Sequence, residues 1–259
     1  GISMLAPSNL PSWMGFNRAI LSGIQVLACE FLPDDATTID SLKIEAFPVQ
    51  AFSDLVVESF AGDSYFPTLR VLDAQHVNEN HIRIAELARQ GIFDTIVTTN
   101  FDTLLERAFR ELGVELQVLV NEGDFRQPSY SSRCLLLKVH GSVKASDSLV
   151  DTVSQKYRGL SPALRSLLES RLRGRTVSVV GFSGSDLEFN QDYLPLRTAF
   201  NGGRIQWVAR PGTLDRIPAP VRKLQELGGS RFELIEDSLP EYLNRLGADH
   251  PYPEVLDAS

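Results

Sequence analysis

Two cysteines, Cys29 and Cys134, are all that these 259 residues contain. A zinc site built on four cysteines is therefore excluded within this chain. A disulfide scaffold is also a poor match for a domain of this size, which makes a reducing, cytoplasmic setting the default expectation. Cys134 opens an apolar run and reads as core. Long apolar runs are missing too. None approaches the roughly 18 residues of a membrane span, and no signal-peptide pattern is visible. Basic charge is short: 25 Lys and Arg stand against 33 Asp and Glu, for a net charge of -8. No long basic run exists, so no direct nucleic-acid site is evident, because phosphate neutralisation needs clustered Lys and Arg. Backbone amides can still hold a small anion. His76 and His81 lie five apart in a polar stretch without a metal-ligand pattern and read as solvated or structural. No repeat or low-complexity segment is present.

What remains is ordinary globular composition, 43% hydrophobic and 22% charged, enough for one large domain over residues 1–248. The Pro-rich, polar stretch 249–259, with His250 in it, reads as a tail or linker. Residues 16–31 read as an apolar-rich helix ended by Pro33-Asp34-Asp35. A mostly helical insertion follows over about 32–91, with breaks at Pro48, Gly62 and Pro67. Its last helix, 81–90, is amphipathic and stops at Gly91. Beyond Gly91 short β-branched runs alternate with helical ones. Strands are expected at 93–98, 116–120, 134–139, 176–180, 205–209 and 231–235. Helices are expected at 103–112, 163–173, 187–201, 219–227 and 239–246. Short apolar strands between helices are the pattern of a parallel, doubly wound α/β sheet.

Three strand ends carry unusual chemistry. The first is Thr98-Thr99-Asn100-Phe101-Asp102, followed by Thr103-x-x-Glu106, which has the form of a capping box. The second is Lys138-Val139-His140-Gly141. The third is Val180-Gly181-Phe182-Ser183-Gly184-Ser185-Asp186, a strand opening into a small-residue turn and a helix. Asn100 and Asp102 also suit helix capping, and a lone histidine at a strand end is often structural. In open α/β sheets, however, ligands bind beyond the carboxyl ends of the strands, so three such ends are expected to converge on one crevice. Glycine lets a backbone approach a ligand closely, and helix-start amides bind phosphate oxygens.

Thr99-Asn100-Phe101-Asp102 resembles the Gln-Asn-Ile-Asp motif of the sirtuin (silent information regulator) family. Lys138-Val139-His140-Gly141 resembles its catalytic His-Gly, and Gly181-Phe182-Ser183 its Gly-Thr-Ser turn. Gly1-Ile2-Ser3, with Leu10-Pro11-Ser12-Trp13 after it, resembles the end of its nucleotide loop. The motifs follow the family's order. They depart from it in Thr99, which replaces the usual Gln, in the missing Gly-Ala and first strand before Gly1, and in the impossibility of the family's four-cysteine zinc module. The resemblance is therefore to the divergent branch.

The resemblance implies a Rossmann-like domain without a zinc module that cleaves NAD to nicotinamide and ADP-ribose, without a metal. In that branch such a domain is often the effector of a bacterial antiphage defence protein. Homo-oligomers, or further domains and partner subunits, are expected with it. Asn100, His140 and Asp102 become the expected catalytic residues. Asn100 holds the nicotinamide ribose and orients water, Asp102 touches the carboxamide or fixes the loop, and His140, near its ordinary pKa, accepts a proton. Gly1, Ile2 and Ser3 fall near the pyrophosphate. Ser183, Ser185 and Asp186, beyond Gly181, face the adenosine ribose. Trp13, Phe16 and Phe101 wall the nicotinamide pocket, and Thr99 is also expected to contact the cofactor. Two alternatives stay open: NAD-dependent protein deacylation, and a module that binds NAD or ADP-ribose without turning it over.

Overall fold

A computed structural model describes residues 2–41, 43, 51–128 and 132–249. The expected break at Pro48, the contacts expected of Gly1, and the tail with His250 lie outside these residues.

The chain opens with a 3-10 turn, Ile2–Met4. Helix α1, Trp13–Phe31, is started by Ser12, whose side chain accepts from the Gly15 amide. The insertion is helical in short pieces: α2 (Ala36–Asp40), α3 (Phe52–Val56), a π-helical turn Val57–Ala61, a 3-10 stretch Gly62–Leu72 and α4 (Glu79–Arg89). Strands and helices then alternate as β1 (Thr95–Thr98), α5 (Leu104–Glu111), β2 (Leu116–Leu119), α6 (Glu122–Arg126), β3 (Cys134–Lys138), α7 (Val153–Arg158), α8 (Pro162–Leu172) and β4 (Thr176–Val180). The chain continues through α9 (Asp186–Phe189), β5 (Arg204–Ala209), α10 (Ala219–Gly228), β6 (Phe232–Glu236) and α11 (Leu239–Asp249).

All six strands expected from the sequence form, and every pairing between them is parallel. They make two three-stranded sheets, ordered β1-β3-β2 and β4-β5-β6. Asp94 and Arg175, just ahead of β1 and β4, pair at 2.9 Å between the two sheets. Side chains alternate across each strand as period two demands. In β3, Cys134 and Leu136 point into a core shared with α4, α5 and α11, while Leu135, Leu137 and Val139 pack against α8. In β5, Ile205 and Trp207 face α10, and Val208 faces the α4–α5–α11 side. Helices thus cover both faces, which is why the strands are apolar on both sides.

The expected helix at 187–201 is a correction. It breaks after Phe189, where the Asn190 side chain accepts from the Asp192 amide, and resumes only as a 3-10 turn at Leu196–Phe200, after Pro195. Local side-chain bonding of this kind competes with the helix. Helices α6 and α7 are too short to show a periodicity.

Candidate active site

The three strand ends do converge. β1 and β3 are paired in register so that Thr98 lies opposite Lys138, and both loops leave the sheet at the same level. The Val143 amide donates to the Phe101 carbonyl, tying the second loop to the first. At the third end, α9 begins with Asp186, whose Oδ2 lies 3.6 Å from His140 Nε2.

Around the first loop a hydrogen-bond network joins residues far apart in sequence. The Ser3 hydroxyl donates to Asp102 Oδ2 at 2.8 Å. Asn100 Nδ2 donates to Ser3 Oγ at 3.1 Å and to Asp102 Oδ2 at 3.2 Å. Behind Ser3 stands His81, fully buried, with Nε2 3.1 Å from Ser3 Oγ. His81 Nδ1 accepts from the Asn78 amide, so the neutral ring carries its hydrogen on Nε2 and donates to Ser3. The single hydroxyl hydrogen of Ser3 is thereby left for Asp102. Both groups facing the Asn100 amide nitrogen are acceptors, which turns the carboxamide oxygen the other way. Asp102 is buried, and burial raises its carboxyl above the ordinary value against the pull of the Leu104 amide and Ser3.

The expected capping box at Thr103 and Glu106 is absent. Asp102 Oδ1 accepts the Leu104 amide, and Asp73 accepts both the amide and the hydroxyl of Thr103. Glu106 instead pairs with Lys138 at 2.9 Å.

His140 is 4% exposed and lies between the rings of Phe101 and Tyr193. Its backbone turn depends on Gly141, which has φ +80°. A Cβ there would stand 2.2 Å from the Ser148 carbonyl oxygen. Burial pushes His140 down to about 4, although Asp186 and a hydrogen bond to the Thr99 carbonyl pull it up. This corrects the expectation of an ordinary pKa: a desolvated imidazole stays neutral. The close approach to Asp186 is accordingly no ion pair near neutral pH; the ionic partner of Asp186 is Lys156, 2.9 Å away. No hydrogen-bond partner of His140 Nε2 is present among the described residues.

Among the other expected residues, Trp13 packs edge-on to Phe101 and against Phe16. Thr99 is half-buried beside Asn100. Ile2 packs into the core, and its carbonyl accepts from Asn78. Gly181 has φ +63° and is exposed. Ser183 and Ser185 bond to each other at 2.9 Å at the surface. Asp186 stands with His140 and Lys156 rather than with those serines. His81, Lys138 and Lys156 had no place in the sequence-based site. Two signals pointed to the first two: Asn78-x-x-His81 has the spacing of a cap, and Lys138 is a charge ending an apolar strand two residues before His140.

Among the described residues no group of three His, Cys, Asp or Glu is arranged to hold a metal, and no helix is long and apolar enough to cross a membrane.

Residues 94–217 match the SIR2-like domain family. Over 139 residues the chain is 25% identical to the NAD(+) hydrolase ThsA of Cytobacillus dafuensis, a match that covers 53% of this chain and 25% of that protein. The matched segment thus spans about a quarter of that relative's length. Matched span, parallel α/β layers and strand-end residues agree in what they liken this chain to: over residues 94–217 it is similar to a SIR2-like domain.

Proposed function

We propose that this site hydrolyses NAD to nicotinamide and ADP-ribose. One observation carries the reading: Asn100, Asp102 and Ser3 form a single network at the strand ends where a neutral, buried His140 stands with Nε2 unbonded. The similarity to a protein named NAD(+) hydrolase ThsA agrees with it.

The residues suit the chemistry. Nicotinamide leaves as a neutral base, so no strong general acid is needed. Positive charge grows on the ribose, and a carboxamide oxygen already held in place stabilises it without reorganisation. Asn100 is held that way by Ser3 and Asp102. His140, neutral at pH 7, takes a proton from water or from a ribose hydroxyl. The imidazolium so formed lies beside the Asp186 carboxylate, which offsets the cost of a buried charge. Ser3 lies near the pyrophosphate, Ser183 and Ser185 lie at the adenosine side, and Trp13 and Phe101 wall the nicotinamide. The wider setting follows the same resemblance: a cytoplasmic effector of bacterial antiphage defence, working as a homo-oligomer or with further domains or partners.

Incubating the protein with NAD, with and without an acetylated peptide, tests the reaction. Nicotinamide release without peptide is the expected result. Release strictly dependent on peptide assigns deacylation instead, and binding without product assigns a sensor.

A further inference from the structure

Lysine is almost never fully buried unless it is paired. Lys138 is 1% exposed, at the end of a strand whose other residues, Cys134 to Leu137, are all apolar and buried. Its Nζ donates to the Phe101 carbonyl at 3.3 Å, to the Asp102 carbonyl, and to Glu106 Oε1 at 2.9 Å. An ammonium has three hydrogens, and these three acceptors use all of them. We infer that Lys138, held by Glu106, is a positioning residue that clamps the Asn100–Asp102 loop in its reactive geometry, an inference that rests on the NAD-hydrolysing reading of that loop.

The location of the acceptors carries the argument. Two are backbone carbonyls of the loop between β1 and α5, at the residues that directly follow Asn100. A carbonyl leaving a strand end has no ladder partner, and a buried one must find a donor. The Val143 amide supplies one donor to Phe101; Lys138 supplies the other and the one for Asp102. Lys138 also lies two residues before His140, so one strand end carries both the clamp and the proposed base. The loop that holds Asn100 is thereby fixed to the segment that carries His140. Glu106 completes the arrangement from the first turn of α5, where a carboxylate is favoured by the helix dipole.

Folding alone gives little reason for this pair. A buried ion pair is weak evidence of stabilisation, and apolar residues of similar volume often replace one without loss. An apolar pair, however, offers the loop carbonyls no donor. Kinetics and local exchange in the folded variant therefore report positioning, and the melting temperature reports stability.

The test is the double variant K138M/E106L, compared with wild type by melting temperature, by kcat and KM for NAD, and by hydrogen exchange of the amides of residues 99–104. The variant should fold, with a melting temperature lowered by the loss of Lys138 as a donor to the Phe101 and Asp102 carbonyls. The loop amides should exchange faster while those of β3 do not. kcat should fall by about 10²-fold, the scale of a misplacement of about 1 Å, with KM little changed. Wild-type loop exchange and wild-type kcat in a folded double variant would overturn the clamp. If that variant fails to fold, E106Q keeps an oxygen for Nζ and removes the charge. It should loosen the same amides and lower kcat by a smaller factor, and no change in either would overturn the inference. A wild-type protein without NAD turnover would overturn the reaction, while loop exchange would still decide whether Lys138 holds the loop.

Discussion

Burial decides the properties of single residues here, and sequence does not display burial. His140 was legible as a candidate because it ends a strand beside Gly141. Its pKa was not, because the desolvation comes from Phe101, Tyr193 and the loops around them. The shift has a testable sign. The unfolded chain binds a proton at His140 near 6.5 and the folded chain only near 4. Between these values the unfolded state holds more protons, so the stability contributed by a neutral His140 is complete above 6.5 and is lost as pH falls towards 4. His81, also lowered to about 4 by burial, acts in the same direction. Asp151, raised to about 6 chiefly by burial, acts oppositely, since its folded form takes up a proton first. The variant H140Q removes one histidine contribution. Its melting temperature should fall less steeply than that of wild type as pH drops from 6.5 to 4; parallel curves would contradict the assignment.

At the scale of elements the apolar pattern was readable and the polar ties were not. Six strands were visible because their runs are short, β-branched and bounded by turns. The boundaries of α5 were visible too, but its cap was misread. Thr103 and Glu106 have the spacing of a capping box, yet their side chains are claimed by Asp73 and Lys138, 30 and 32 positions away in sequence. A local motif lost to two tertiary partners. Helices α6 and α7 carry capping boxes at Asn121 and Thr152 that were readable in principle. The turn after β3 makes a direct prediction. At Gly141 a methyl group would meet the Ser148 carbonyl at 2.2 Å, in a backbone region that L side chains rarely adopt. G141A should therefore cost more than the roughly 1 kcal/mol typical of a point change and should displace His140. Denaturant unfolding measures the first effect, and NAD turnover in the folded fraction measures the second. A variant with wild-type values of both would show that the turn is not constrained as described.

For the whole molecule, the order of motifs along the chain was enough to expect the three strand ends near one another, because parallel strands present their carboxyl ends on one side. It could not show that Ser3, His81 and Asp102 would join across separations of 78 and 99 residues. That network also separates Asn100 from the role of a helix cap. The amides at the start of α5 are taken by Asp102 and Asp73, which leaves Asn100 no capping role. Its amide nitrogen is spent on Ser3 and Asp102, and in the proposed function its oxygen is the atom offered to substrate. The most direct measurement is therefore N100A, assayed together for NAD affinity, turnover and melting temperature. Loss of one or two hydrogen bonds at a half-buried site should lower stability by only about 1 kcal/mol. Contacts to the phosphates and adenosine should persist, so NAD still binds while kcat collapses. Unchanged turnover with a lowered melting temperature would make Asn100 structural and contradict the assignment of this loop as the place where NAD is cleaved.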